Sequence, residues 1–144
     1  MKGRLGWTLL GGALLISGAA FAQQTFDLGK YEYDTKCASC HGLSGKGDGM
    51  LRPYLVNAPS DLTTLAKRNG GAFPSQLVWL TIDGRTEKPI GPHGSREMPV
   101  WGSEYRQEVL RAAGPEGMAF AQPEWYVRGR IVALIDYLSR IQVQ

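Results

Sequence analysis

The run Cys37-Ala38-Ser39-Cys40-His41-Gly42 holds the only two cysteines of the sequence and one of its two histidines. C-x-x-C-H is the attachment pattern of c-type haem. Cys37 and Cys40 fall on neighbouring positions of one helical turn, so each thiol can add to one of the two porphyrin vinyl groups. His41, four residues after Cys37, then lies over the porphyrin face and offers an imidazole nitrogen to iron. The expectation is one covalently bound haem c, with Cys37 and Cys40 as thioethers and His41 as proximal ligand.

Other uses of the pair fit less well. The pair could also be a structural disulfide or a thioredoxin-like redox pair, but a thioredoxin-like domain would show a βαβ pattern that the flanks lack. A zinc site needs two further ligands, and the remaining histidine, His93, has no cysteine to join it. The loop Gly42-Leu43-Ser44-Gly45-Lys46-Gly47-Asp48-Gly49 lacks the G-x-x-x-x-G-K-[ST] pattern of a phosphate cradle. Asp48 alone supplies a carboxylate there, too few for a calcium loop. It reads as a flexible turn carrying the chain around the haem edge.

Upstream, Lys2 and Arg4 precede an uncharged run from Leu5 to Ala22 that closes on Ala20-Phe21-Ala22. This is the layout of a secretory signal peptide, with cleavage expected after Ala22 and a domain over residues 23–144. The competing reading is an uncleaved anchor, since the apolar run approaches spanning length. Loss of the two basic residues Lys2 and Arg4 lowers the formal charge from +3 to +1. No block of lysine and arginine is long enough for nucleic-acid binding.

Downstream, the 144 residues leave room for one small domain, and the periodicity is helical throughout. An amphipathic helix is expected from Phe26 to Lys36, entered at Asp27 and carrying Leu28, Tyr31 and Tyr33. Gly29 inside it lowers helix propensity, which implies that something packs closely at that point. Ser60 is the expected N-cap of a short helix from Asp61 to Lys67, stopped by Asn69-Gly70-Gly71. Pro74 opens a helix bearing Leu77, Val78, Leu80 and Ile82, which Asp83-Gly84 ends. Arg85 to Pro99 has no period and reads as a long functional loop. Ser103 is the expected cap of a helix through Tyr105, Val109 and Leu110 to Ala113, broken at Gly114-Pro115. The last helix runs from Pro123 almost to the end, with Val127, Ile131, Leu134, Leu138 and Ile141 as its apolar stripe. No strand pattern, internal repeat or linker is evident, so the fold class expected is all-α.

Met98-Pro99-Val100-Trp101 places a thioether on an irregular segment able to approach the far face of a haem, and a His/Met axial pair raises haem potential. Met118 and His93 compete for that role, Met50 lies too near the motif to cross the ring, and any methionine can simply fill a core gap. The residues alone leave the sixth ligand open.

From Asp27 onward the chain resembles the class I monohaem c-type cytochromes of the bacterial periplasm. The resemblance rests on Gly29 and Tyr33 before Cys37, the run Cys37 to Gly49, Pro59-Ser60-Asp61-Leu62, Met98-Pro99-Val100-Trp101 and Leu134-Ile135-Asp136-Tyr137-Leu138. It implies a cytochrome c-like fold, short helices wrapped round the haem, with Gly29 letting the first helix cross the last and an aromatic ring packed on the crossing. It implies Met98 as distal ligand, Trp101 beside the haem, and a proline carbonyl, Pro59 in preference to Pro53, accepting from the proximal histidine. One departure is the longer span from Met98 to the last helix, including Gly114 to Gln122.

The function this implies is outer-sphere electron transfer in the periplasm, one electron at a time, with redox partners such as a periplasmic dehydrogenase or terminal oxidase. Contact with a membrane would come only through a partner or an uncleaved signal. Two alternatives accompany it: an electron-transfer subunit of a larger oxidoreductase, and a haem enzyme or gas sensor with an open sixth site served by His93 or Arg96.

Overall fold

Asp27 begins the first helix, its carboxylate accepting a hydrogen bond from the Lys30 N–H at 2.9 Å. The computed structural model describes residues 25–85, 98–117 and 122–143, and every regular element among them is helical. Helix α1 spans Leu28–Glu32, and the chain then widens into a π-helical turn, Tyr33–Cys37, before α2, Ala38–His41. The expected stop at Lys36 is therefore wrong. The backbone runs on because the Ala38 N–H bonds the Tyr33 carbonyl, and Gly42 closes α2 by donating to the Ala38 carbonyl at 2.8 Å. Tyr31, expected on the buried face, is half exposed and packs on the ring of Phe26, 5.5 Å between centroids.

The cap after the proline segment is Asp61, not Ser60. Its carboxylate accepts from the Thr63 N–H at 2.8 Å and the Thr63 hydroxyl at 2.6 Å. A 3-10 turn, Leu62–Thr64, leads into α3, Leu65–Arg68. Helix α4, Ser75–Asp83, ends as expected at Gly84 in the left-handed region. Helix α5, Trp101–Gly117, starts ahead of Ser103 and breaks at Gly114, whose φ of 65° only glycine adopts at ease. Helix α6 spans Pro123–Arg140 and buries Val127, Ile131, Leu134 and Leu138 as its stripe foretold.

Helix α6 is the axis on which the rest assembles. Helix α1 crosses it at Gly29, which meets Ala133 and Tyr137. Tyr33, fully buried, sets its ring 5.1 Å from that of Tyr137 and donates its hydroxyl to the Gly42 carbonyl at 2.6 Å. Helices α4 and α5 also pack on α6. Each of the fully buried apolar side chains at this junction stabilises the fold by about 1.5–3 kcal/mol. Beyond α6, Gln142 accepts from the Ala66 N–H at 2.9 Å and donates to the Leu62 carbonyl at 2.8 Å, tying the tail to the start of α3.

The expected leader and its Ala22 cleavage site, residues 86–97 with His93 and Arg96, and Met118 within the Gly114 to Gln122 stretch lie outside the described residues. No described helix is long and apolar enough to cross a membrane.

Candidate functional site

His41 closes α2 and is buried, with its Nδ1 3.0 Å from the Ser60 carbonyl oxygen. A carbonyl can only accept, so Nδ1 carries the proton and the lone pair is directed to Nε2. The acceptor is thus one residue later than expected: Ser60 supplies it, not Pro59. The loop after the motif accounts for the shift. Gly47, at φ 81°, presses against Pro59 so closely that a Cβ would overlap the Pro59 carbonyl oxygen. With the Pro59 carbonyl facing Gly47, the next carbonyl turns to the imidazole.

The same loop is not the loose turn expected. Gly47 N–H donates to the His41 carbonyl at 2.8 Å, Gly49 N–H to Cys40 at 3.1 Å, and Leu51 N–H to Ser39 at 2.8 Å. Leu62 N–H then bonds the Gly45 carbonyl at 2.7 Å, so loop and proline segment are laced together behind the histidine. Positive φ at Gly42, Gly45 and Gly47 makes this return path accessible.

Cys37, His41 and Met98 line a single apolar cleft of about 260 Å³, open to solvent along one side. Leu62, Leu65, Val78, Ile82, Leu134 and Leu138 form its walls, drawn from α3, α4, α6 and the 3-10 turn. Met98 is half-buried against the core. Arg68 and Asn69, both exposed, also border the cleft. The donor set is chemically apt for haem: an imidazole with a fixed tautomer, a soft thioether and a thiol in an apolar enclosure.

Three expected contacts are placed elsewhere. Trp101 does not line the cleft. At the head of α5 its ring lies 6.2 Å from that of Tyr105, with the Lys36 ammonium 5.9 Å from its centroid. Pro59 is buried under Gly47 instead. Cys40 is half-buried beside Ser39, whose hydroxyl is 4.0 Å from its sulfur, and it too lies outside the cleft lining. Met50 is exposed, on the far side of the motif. Both thiols are free of any disulfide. Burial, then the charge of Glu32 and the neighbouring Cys40, pushes the Cys37 thiol up to about 12.

Sequence reasoning missed Glu32. It is buried, accepts from the Tyr105 hydroxyl at 2.8 Å, and pairs with Arg130. Its spacing from Cys37 was visible, but one sequence gives no sign that this helical glutamate faces inward.

No described cluster of His, Cys, Asp and Glu could hold a bare metal ion. No curated protein and no solved structure matches the chain. The family model described as cytochrome C oxidase, cbb3-type, subunit III, matches residues 24–138. The chain belongs to that family, an all-helical cytochrome c domain whose chemistry is haem-based electron transfer.

Proposed function

We propose, from its place in that family, that the chain is a monohaem electron carrier exported to the periplasm, its leader removed after Ala22. Cys37 and Cys40 would hold the haem covalently, and His41 and Met98 would bind its iron. The observation that carries this reading is the convergence of Cys37, His41 and Met98 on one apolar cleft. When bound, the haem supplies a one-electron couple. The chain's own residues do the rest. Ser60 fixes the His41 tautomer, the apolar walls exclude water and so raise the potential, and the open side of the cleft gives partners an approach. With His41 and Met98 both bound to the iron, no position would be left there for a substrate, which is why a carrier fits better than a peroxidase or gas sensor.

The partners proposed are a periplasmic dehydrogenase as donor or a terminal oxidase as acceptor. The family's description favours a working form as an electron-transfer subunit of an oxidase over a freely diffusing carrier. No role with nucleic acid is proposed.

Mass spectrometry of the exported protein tests the attachment. The mature chain should weigh the Gln23–Gln144 polypeptide plus one haem, and its colour should survive acid-acetone extraction. Haem that extracts freely would overturn the reading.

A further inference from the structure

Glu32 is 1% exposed, a carboxylate inside the junction of α1, α5 and α6. The Tyr105 hydroxyl donates to its Oε2 at 2.8 Å and Arg130 pairs with its Oε1. Arg130 also donates to the Tyr126 hydroxyl at 2.7 Å, and that hydroxyl donates to Glu108 at 3.2 Å. Lys36 completes the group, 3.5 Å from Glu108. An apolar side chain would close such a junction at least as well, because removing two charges from water offsets most of their attraction. The pair therefore calls for a use other than stability.

The backbone supplies one. In the π-helical turn Tyr33–Cys37 the Ala38 N–H reaches back to Tyr33, so residues five apart stand over one another. Glu32 caps the start of that turn, five residues before Cys37 at its end. The charge of Glu32 is felt at the Cys37 sulfur, where it adds to burial in holding the thiol protonated. Arg130, on α6, approaches the carboxylate from the other element and lies over the Tyr126 ring, 4.6 Å from its centroid.

Taking haem attachment at Cys37 from the reading above, we propose that Glu32 is a potential-setting residue, its buried carboxylate beside Cys37 favouring ferric iron and Arg130 offsetting that charge. Glu32 touches neither iron nor substrate and acts only through its field, which its exclusion from water leaves poorly screened.

The test is potentiometric titration of the intact haem-loaded chain, its covalent haem first verified by mass. Glu32→Gln keeps the shape and removes the charge, so the midpoint potential should rise. Arg130→Gln leaves the carboxylate unopposed, so it should fall, and Arg130→Lys should stay near the parent. A merely structural role would lower melting temperature in every variant without opposite shifts in potential at an unchanged low-spin spectrum. A Glu32→Gln potential that is unchanged or lower overturns the proposal, as does an Arg130→Gln potential that is unchanged or higher. If one of these two variants does not fold, the other, set against Arg130→Lys, fixes the sign. A parent chain without covalent haem would instead overturn the reading on which this one rests.

Discussion

Gly29 and Ala133 meet where the first and last helices cross, with no room for a side chain between them. A Cβ on Gly29 would overlap the Ala133 carbonyl oxygen and stand 2.8 Å from both the carbonyl carbon and Tyr137 Cβ. Two of these obstacles are backbone, which cannot rotate aside.

Gly29→Val should therefore force α1 and α6 apart, costing at least the overpacking range of about 1–3 kcal/mol. Thermal melting of the haem-loaded variant checks this, with haem content unchanged because the motif lies a turn and more away. A variant that melts like the parent would show that the crossing can relax.

The seating of His41 depends on Gly47 in the same way. Gly47→Ala would drive a methyl into the Pro59 carbonyl at a φ of 81° and disturb the Ser60 carbonyl next to it. Gly70 offers the control, since its φ is 68° but nothing lies within 4 Å of the added carbon. Gly70→Ala should cost only the left-handed penalty of about 1–2 kcal/mol. Gly47→Ala should cost more and also perturb the haem absorption spectrum. Equal costs with unaltered spectra would separate the loop from the ligand.

Met98→Ala is the variant that decides the axial pair. It should open the sixth position, lower the potential and let the ferrous protein bind carbon monoxide, whereas the parent does not. Met98→His should restore a low-spin, six-coordinate iron at a lower potential still than the parent, and His93→Ala should change nothing. If His93→Ala opens the iron while Met98→Ala leaves the spectrum untouched, the distal ligand is His93.

Asp27 gives a pH signature. The Lys30 N–H, then the Arg140 guanidinium, hold its carboxyl below the usual carboxylate range. A carboxyl lowered in the folded state adds stability that is complete above its unfolded value, about 4, and is lost as pH falls through the folded one. The parent should thus melt above Asp27→Asn at neutral pH, with the gap closing in acid. A gap that persists unchanged into strong acid would mean that the charge is not what matters.

What the sequence made legible divides along physical lines. Helix α6 could be read from a single stripe, because Val127, Ile131, Leu134 and Leu138 recur at helical spacing and a buried face demands that period. Gly29 was readable as a point of close approach, but its partner was not: facing residues on two helices are set by the crossing, and Ala133 carries no signal of its own. The Ser60 carbonyl escaped because every residue has one, and which of Pro59 or Ser60 turns inward is settled by Gly47, twelve residues earlier. The π turn escaped for a related reason, since an added residue per turn leaves the composition untouched. Glu32 was the costliest omission, its burial depending on Tyr105 and Arg130 from helices distant in sequence.

The Cys37 thiol bears on the order of assembly. A thioether forms through the thiolate, and a thiol pushed up to about 12 by burial is almost wholly protonated at neutral pH. With the helices closed around it, Cys37 is a poor nucleophile. If Cys37 carries the haem as proposed, the linkage forms more readily while this segment is still open, and folding would then seal it.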